Sequence, residues 1–202
     1  MSSIFAFQTK GLNFSKVLFD YSLAMILVII FVVPMMLMWL VATLETGQNG
    51  LFLHQRIGKH AQRFRMFKIR TLKGNYDNPI TTETTHKITG SGRFFIKYKL
   101  DELPQLFNIL NGTMSFVGPR PDVPGYADQL TGEDRIILTI KPGITGPAQL
   151  KYRNENDLLK QANDPKQLND EVLWPDKVAI NKKYVHNWSF FGDIKILWET
   201  IF

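Results

Sequence analysis

The chain has 202 residues, of which 45% are hydrophobic and 21% are charged, and these proportions exclude a disordered or low-complexity protein. Outside one apolar segment, the remaining residues (about 160) are the size of one ordinary domain. The absence of cysteine excludes a disulfide framework, a cysteine-based zinc site and a thiol nucleophile. The net charge of +6 at pH 7 favours a nucleic-acid or anionic membrane partner.

The first predicted element is an uncharged apolar run at residues 21–44. As a helix it would be about 36 Å long, enough to cross a hydrocarbon core of about 30 Å. A cleavable signal peptide is disfavoured, because the run is long and no small-residue cleavage site follows it before the basic stretch. A buried helix of a soluble domain is the remaining alternative to a membrane segment.

Pro34 lies near the middle of this run, where a proline removes one helical hydrogen bond and clashes with the preceding turn. The segment therefore either spans the membrane with a kink or turns back as two arms, residues 21–33 and 35–44. Lys10 and Lys16 precede the run and a basic stretch follows it. Positive charge on both sides suits a hairpin, because both ends then stay on the cytoplasmic face. From the residues alone, both arrangements stay open.

The whole excess of positive charge lies just after the apolar run. Residues 46–76 contain seven basic side chains and no acid, and the rest of the chain has 17 basic and 18 acidic residues. The seven are Arg56, Lys59, Arg63, Arg65, Lys68, Arg70 and Lys73. Such a juxtamembrane patch is attracted to anionic headgroups by about 1 kcal/mol per cation near the surface, and some of its cations could hold a phosphorylated substrate. We expect no nucleic-acid partner, because no RNA-binding strand or helix-turn-helix accompanies it.

A β-hairpin is predicted next, with strands at residues 51–53 and 64–69 and a turn around Gly58. On its second strand, Lys68 and Arg70 alternate with apolar residues and share a polar face, which suits either phosphate or solvent. Residues 75–91, rich in Thr, Gly and Asn, are predicted to form a loop.

Asp101 and Glu102 are the strongest candidates for chemistry. They precede a predicted helix with Pro104 in its first turn and an end at Asn111-Gly112. The apolar face of this helix is Leu103, Leu106, Phe107 and Leu110. Adjacent carboxylates at a helix start diverge by about 100°, so one can attack or bind while the other holds Mg²⁺. The structural alternative is a helix cap followed by an acid that favours the helix dipole.

Arg120 is the second candidate, in a rigid surface connection predicted at residues 118–124. Pro119 and Pro121 restrict the backbone on both sides and would fix the guanidinium for bidentate phosphate binding. The alternative is a surface arginine in a turn. The histidines have no ligand or triad spacing and are interpreted as structural or surface residues: His54, His60, His86 and His186.

The C-terminal part is predicted to be helical. Residues 154–176 form a polar, weakly patterned helical region. The last helix has apolar side chains on one face: Phe190, Phe191, Ile194, Leu197, Trp198, Ile201 and Phe202. Asp193, Lys195 and Glu199 lie off that face. The stripe is typical of a core-facing helix, and its aromatic residues also suit a helix in the membrane interface.

Taken together, these segments resemble the bacterial monotopic phosphoglycosyl transferases, also called bacterial sugar transferases. The resemblance covers nearly the whole chain. Its most specific blocks are Asp-Glu-Leu-Pro at residues 101–104 and Gly-Pro-Arg-Pro at residues 118–121. Further matching segments, in family order, are Lys16 with Asp20, residues 54–58, 67–71, 105–108, 114–117 and 141–146, and residues 184–193.

The resemblance implies transfer of a phosphosugar from a UDP-sugar to undecaprenyl phosphate, with Mg²⁺ as cofactor. Asp101 would form a covalent aspartyl-phosphosugar and release UMP, while Glu102 would hold the metal. Lys68, Arg70, Arg120 and Pro121 would bind substrate. This would be the first membrane step in making a surface glycan, such as an O-antigen, capsule, exopolysaccharide or glycoprotein glycan.

The resemblance also implies a re-entrant helix broken at Pro34, at the cytoplasmic face of the bacterial inner membrane. Three positions depart from the family pattern. Val33 replaces a common serine, Thr113 replaces a common acid, and Asn181 replaces a common aspartate. The dyad is intact, so we expect an active enzyme rather than an inactive membrane-anchored binding module.

The expected fold is α+β and mostly helical. Residues 1–45 would form the re-entrant membrane helix, and residues 46–202 a cytosolic catalytic domain with a short β-hairpin and interfacial amphipathic helices. With one membrane segment, the chain resembles the minimal form of the family. The expected partners are the UDP-sugar donor, the undecaprenyl phosphate acceptor and the bilayer, and a homo-oligomer is compatible with them. The identity of the sugar does not follow from the sequence.

Overall fold

The computed structural model describes residues 2–74 and 87–202, with side chains described from residue 14 onward. The helices are α1 (Ser2–Thr46), α2 (Gly90–Lys97), α3 (Gln105–Leu110), α4 (Pro147–Lys151), α5 (Glu155–Gln161), α6 (Pro165–Leu168), α7 (Trp174–His186) and α8 (Phe190–Ile201). The strands are β1 (Leu51–Ile57), β2 (Arg63–Ile69), β3 (Leu72–Lys73), β4 (Lys87–Ile88), β5 (Ser115–Val117) and β6 (Gly143–Thr145). Tight 3₁₀ segments and one π-helical turn, Asn169–Leu173, connect them. The α+β, mostly helical class is confirmed.

The strands form three small two-stranded sheets. β1 pairs with β2, which confirms the predicted hairpin. β3 and β4 pair antiparallel, with Leu72 opposite Ile88. β5 and β6 pair parallel, with Ser115 opposite Gly143. The prediction of a loop at residues 75–91 is wrong for its last part, where β4 and the start of α2 lie. Residues 75–86 lie outside the described part of the chain.

The chain divides into two compact units. The first comprises residues 1–20, 56–64 and 112–202, and the second comprises residues 21–55 and 65–111. The predicted division into residues 1–45 and 46–202 separates a membrane segment from a catalytic one, and it stays a prediction.

Each unit has its own apolar core. The core of the second unit combines α1 with β2 and α2 through Met35, Met38, Ala42, Ile69 and Phe95. The core of the first unit consists of Ile57, Ala127, Ile137, Leu138 and Val178.

Helix α1 contains a stretch, Phe14–Thr46, that is long and apolar enough to cross a membrane. Most of its apolar side chains point outward, and Leu44 is 75% exposed. Such an exposed apolar surface fits a membrane-associated helix. Helical structure continues through Pro34, so the predicted break is not a break in secondary structure. A re-entrant path for this helix stays a prediction.

The first unit fixes the N-terminal end of this apolar stretch to the C-terminal helix. The Lys16 ammonium pairs with the Asp193 carboxylate, which also accepts hydrogen bonds from the Tyr184 hydroxyl at 2.7 Å and Trp188 Nε1 at 3.0 Å. The Asp20 carboxylate accepts a hydrogen bond from the Phe116 backbone N–H at 3.3 Å. Asp193 is therefore a buried centre of contacts.

The apolar stripe of α8 does not face a core, in contrast to one of the two predicted interpretations of this helix. Its residue Asp193 is buried, whereas the apolar stripe is largely exposed, with Phe191 at 82% and Trp198 at 64%. The core-facing interpretation is therefore wrong for these side chains. Their exposure is compatible with the interfacial interpretation, which stays a prediction.

Candidate active site

The two candidate acids lie in a tight turn in the second unit, between α2 and α3. Asp101 and Glu102 belong to the 3₁₀ segment Leu100–Glu102, which follows Lys99 in a left-handed conformation (φ 57°). Helix α3 begins only at Gln105, and its N-terminal flanking residue Pro104 provides no side-chain cap. The alternative interpretation of Asp101 as a helix cap is therefore wrong.

Both carboxylates approach one cation. Lys68 Nζ lies 2.9 Å from Glu102 Oε1 and 3.9 Å from Asp101 Oδ2. All three side chains are largely shielded from solvent, with Asp101 only 8% exposed as a residue. At such separations an ammonium offsets much of the repulsion between two adjacent anions. The structure thus brings together Asp101, Glu102 and Lys68, three of the predicted site residues.

Asp101 combines burial with an unused oxygen. Burial raises the pKa of its carboxyl group above the usual range, the Lys68 ammonium lowers it, and the Glu102 carboxylate raises it. Its Oδ1 is buried and has no hydrogen-bond partner among the described residues. A buried polar atom without a partner costs free energy, and a perturbed carboxyl group of this kind marks a candidate functional site.

Asn108 fixes the strand that carries Lys68 against the helix that follows the dyad. Its Oδ1 accepts a hydrogen bond from the Phe67 backbone N–H at 2.9 Å, and its Nδ2 donates to the Arg65 carbonyl at 2.8 Å. Asn108 is completely buried. No role for Asn108 was predicted from the sequence, although its position between the apolar residues Leu106 and Ile109 could have signalled one.

Arg70 makes different contacts from Lys68. Its Nε donates to the Asn49 carbonyl at 2.7 Å, and its guanidinium lies 5.3 Å from the centre of the Phe52 ring. Asn49 Oδ1 in turn accepts a hydrogen bond from Trp39 Nε1 at 2.9 Å. These contacts do not bring Arg70 to the carboxylates, and its substrate-binding role stays a prediction.

Arg120 belongs to the first unit, on a segment held rigidly by backbone hydrogen bonds. The Gly118 N–H donates to the Thr145 carbonyl at 2.9 Å, and the Gly143 N–H donates to the Pro119 carbonyl at 2.8 Å. Pro119 and Pro121 are buried while Arg120 is exposed. The predicted surface connection is therefore a buried backbone that presents an exposed guanidinium.

Two polar residues in the first unit, one partly buried and one buried, were not singled out as site residues. Burial raises the pKa of the Asp122 carboxyl group to about 7, although the nearby cations of Lys177, Arg56 and Arg120 lower it. Asn181, in α7, is 5% exposed, and its Oδ1 has no partner within residues 2–74 and 87–202. Burial of this kind depends on tertiary packing and carries no local sequence signal.

The donor set argues against a metal cage built by protein alone. Within the part of the chain that the structure describes, no three His, Asp or Glu side chains are grouped as metal ligands. Mg²⁺ commonly binds through only one or two carboxylates together with substrate phosphates and water. Asp101 and Glu102, with the unpartnered Oδ1 of Asp101, fit that kind of donor set.

Known proteins are similar in sequence to nearly the whole chain. The family model described as "Bacterial sugar transferase" matches residues 12–202. The "Uncharacterized sugar transferase EpsL" of Bacillus subtilis is 35% identical, over 92% of this chain and 85% of the relative. The "Undecaprenyl-phosphate galactose phosphotransferase" of Salmonella typhimurium is 31% identical, over 95% of this chain and 40% of the relative.

A third relative, from Escherichia coli K12, is the "UDP-glucose:undecaprenyl-phosphate glucose-1-phosphate transferase". It is 32% identical, over 75% of this chain and 32% of the relative. The chain therefore spans most of the Bacillus relative and less than half the length of the other two.

The fold combines a helix that is long and apolar enough to cross a membrane with an acidic dyad, buried Asp101 and partly buried Glu102, paired with Lys68. The family match covers nearly the whole chain. The chain belongs to the bacterial sugar transferase family.

Proposed function

We propose that this chain transfers a phosphosugar from a UDP-sugar to undecaprenyl phosphate and releases UMP. The observation that carries the proposal is the buried Asp101 carboxylate, which lies 3.9 Å from Lys68 and keeps one oxygen without a partner. The substrates are supported by the names of the Salmonella and Escherichia relatives. Those names differ in the sugar, galactose or glucose, so we leave the donor sugar open.

The reaction proceeds in two displacements at one phosphorus atom. An ionised oxygen of Asp101 attacks the β-phosphorus of the donor, and the bond from that phosphorus to the UMP oxygen breaks. A phosphate oxygen of undecaprenyl phosphate then attacks the same phosphorus. The bond to Asp101 breaks, which restores the carboxylate and leaves a sugar–diphosphate–lipid.

Charge neutralisation is the main requirement, because an anionic nucleophile must approach an anionic diphosphate. Lys68 provides one cation directly at the dyad. We assign Arg120, with the Pro121 backbone that restrains it, to diphosphate binding, and Arg70 to a supporting role in substrate binding. Glu102 would hold Mg²⁺, which supplies Lewis-acid stabilisation of the phosphoryl oxygens when bound.

The acceptor brings a long apolar chain, and the second unit has an apolar cavity of about 710 Å³. Its lining includes Met35, Trp39, Phe67, Pro104 and Phe107. Phe67 precedes Lys68 and Pro104 follows the dyad by two residues, so this cavity adjoins the proposed chemistry along the chain. We propose that it accommodates the start of the isoprenoid chain.

We further propose that the catalytic part works at the cytoplasmic face of the inner membrane, with α1 re-entrant at Pro34. The outward apolar side chains of α1 support membrane association. Labels placed before Lys10 and after Phe202 should react from the same side of sealed vesicles. Labelling from opposite sides would instead establish a spanning helix.

The activity is tested by UMP release from the protein in lipid nanodiscs, with undecaprenyl phosphate, Mg²⁺ and a panel of UDP-sugars. Without the acceptor, the first displacement should release at most one UMP per protein molecule. Continued release of UMP should require both the acceptor and the metal. Glu102→Gln should require more Mg²⁺ for the same rate. No UMP release with any donor would refute the proposed reaction and favour a membrane-anchored binding module.

A further inference from the structure

The Asp122 carboxyl group lies among charged side chains from several elements, beside the guanidinium to which we assign diphosphate binding. Three cations act on it: Lys177 of α7, Arg56 of β1 and Arg120 of its own segment. The anion that acts on it is Glu155 of α5, whose carboxylate accepts a hydrogen bond from Lys177 Nζ at 2.5 Å. All of these residues belong to the first unit.

The backbone and a small cavity hold Asp122 next to Arg120. Arg56 Nη1 donates to the Pro121 carbonyl at 3.4 Å, and the Ile57 N–H donates to the Asp122 carbonyl at 2.9 Å. Arg120 and Asp122 both line one internal cavity of about 20 Å³. That volume is close to the space of one water molecule, so the bulk solvent that would screen the two charges is excluded from it. A change in the charge of Asp122 therefore acts on Arg120.

We propose that Asp122 takes up a proton when the donor diphosphate binds to Arg120. This inference rests on the proposed function, which assigns the diphosphate to Arg120. A bound diphosphate adds negative charge beside Asp122, and a nearby like charge favours the protonated form of a carboxyl group. The proton comes from solvent and returns to solvent when the diphosphate leaves, so the exchange needs no other reactant.

The ionisation of Asp122 falls in the range where this exchange matters. Burial raises the pKa of Asp122 to about 7, against the opposing effect of the three cations. Tyr126 also interacts with Asp122, but burial raises the pKa of its hydroxyl above the usual range, so it stays neutral. Proton and diphosphate then strengthen each other's binding by one common factor. A factor of about 10 corresponds to about half a proton per donor at pH 7.5, and to about fivefold tighter binding at pH 6 than at pH 8.

Proton uptake is measured by isothermal titration calorimetry in two buffers that differ in their enthalpy of ionisation. The protein is the full chain in nanodiscs with Asp101→Asn, because this substitution stops the first displacement and removes another carboxyl group with a raised pKa. The ligands are a panel of UDP-sugars that includes UDP-galactose and UDP-glucose. Their diphosphate is substituted at both ends and has no proton to exchange near neutral pH, so the proton must bind to the protein.

Asp122→Asn should abolish this proton uptake. Because its amide stays neutral, the variant should bind the donor about fivefold more tightly than Asp122 does at pH 8 and equally well at pH 6. A substitution that only disturbed packing would weaken binding instead. Asp157→Asn is the matched control, because Asp157 is an exposed aspartate on α5, and it should leave the proton uptake unchanged.

Lys177→Met provides a second, independent outcome. Lys177 is the cation that lowers the pKa of Asp122 most, so its removal should move the maximum of proton uptake to higher pH. If Asp122→Asn does not fold, as judged by circular dichroism, the position of this maximum decides.

Donor binding without proton uptake would overturn the inference, and so would equal proton uptake with and without Asp122→Asn. UMP release is measured separately on the chain that retains Asp101. Proton uptake without UMP release would refute the proposed reaction alone, and UMP release without proton uptake would refute this inference alone. If no UDP-sugar binds, both are refuted.

Discussion

Replacing Lys68 by methionine should show how strongly the dyad depends on the cation that pairs with both of its carboxylates. The ammonium lies 2.9 Å from Glu102 Oε1 and 3.9 Å from Asp101 Oδ2. At an effective dielectric constant of about 20, these separations correspond to attractions of about 6 and about 4 kcal/mol. The desolvation of the three groups offsets part of this gain, and breaking a buried ion pair from one side typically costs about 3–5 kcal/mol. We expect Lys68→Met to lose about 3 kcal/mol of unfolding free energy at pH 8.

The pH dependence distinguishes this mechanism from a general packing defect. Burial already raises the pKa of Asp101, and removing the Lys68 cation raises it further. A carboxyl group whose folded-state pKa lies above its unfolded value loses stability as pH rises between the two values. The stability gap between Lys68→Met and the unsubstituted chain should therefore widen as pH rises above the pKa of Asp101 in the unsubstituted chain.

The pH dependence of UMP release should also report the higher pKa of Asp101 in Lys68→Met. The nucleophile must be ionised, so the acid limb of the pH profile for UMP release should move to higher pH in Lys68→Met. Lys68→Arg keeps the positive charge, so the acid limb of its pH profile should lie close to that of the unsubstituted chain. Lys73→Met removes an exposed cation and should change neither property. An unshifted acid limb together with a stability loss below about 1 kcal/mol would refute the proposed coupling.

The remaining predictions concern single polar side chains. Asp101→Asn should abolish turnover and any covalent phosphosugar detected by intact-protein mass spectrometry, and near-normal turnover would contradict its role as nucleophile. Asn108→Leu should lower the unfolding free energy by about 2–5 kcal/mol in denaturant titration, because the Phe67 N–H and the Arg65 carbonyl lose their partner; a loss below about 1 kcal/mol would mean that the two groups find others. Asp122 has a pKa raised from 3.8 to about 7, so its contribution to stability should fall as pH rises from about 4 to 7 and then level off. Asp122→Asn should flatten this dependence and gain up to about 4 kcal/mol above pH 7, measured by thermal unfolding, and an unchanged pH profile would contradict the assignment.

The sequence predicted those elements whose signals are local. Alternating residues and Gly58 were sufficient for the β1–β2 hairpin, and the end of α3 at Asn111-Gly112 follows from glycine chemistry, since Gly112 has a φ of 81°. The β3–β4 pair was missed, because each strand has two residues and the pairing crosses the intervening residues 74–86. Two-residue strands carry too short a pattern to separate them from a loop.

The residues of the candidate site were predicted from the sequence, but the contacts between them were not. The Asp-Glu pair and Lys68 were both identified as candidates, but the ion pair between them was not predicted. Lys68 and Glu102, which form it, are 34 residues apart in the sequence. Asp193 was placed off the apolar face of α8, but its pairing with Lys16, which precedes it by 177 residues, was not predicted. Partners at such separations are determined by tertiary packing, which no local window contains.

The positive stretch that follows the apolar run does not act as one uniform patch. Three of its seven cations are partly buried and make internal contacts: Arg56 with the Pro121 carbonyl, Lys68 with the dyad, and Arg70 with Asn49. The other four are exposed: Lys59, Arg63, Arg65 and Lys73. Exposed charges are screened within about 8 Å at physiological ionic strength, whereas partly buried pairs are screened much less. Attraction to anionic headgroups should therefore come from the exposed four and weaken with salt, while the effect of Lys68 on the dyad should persist.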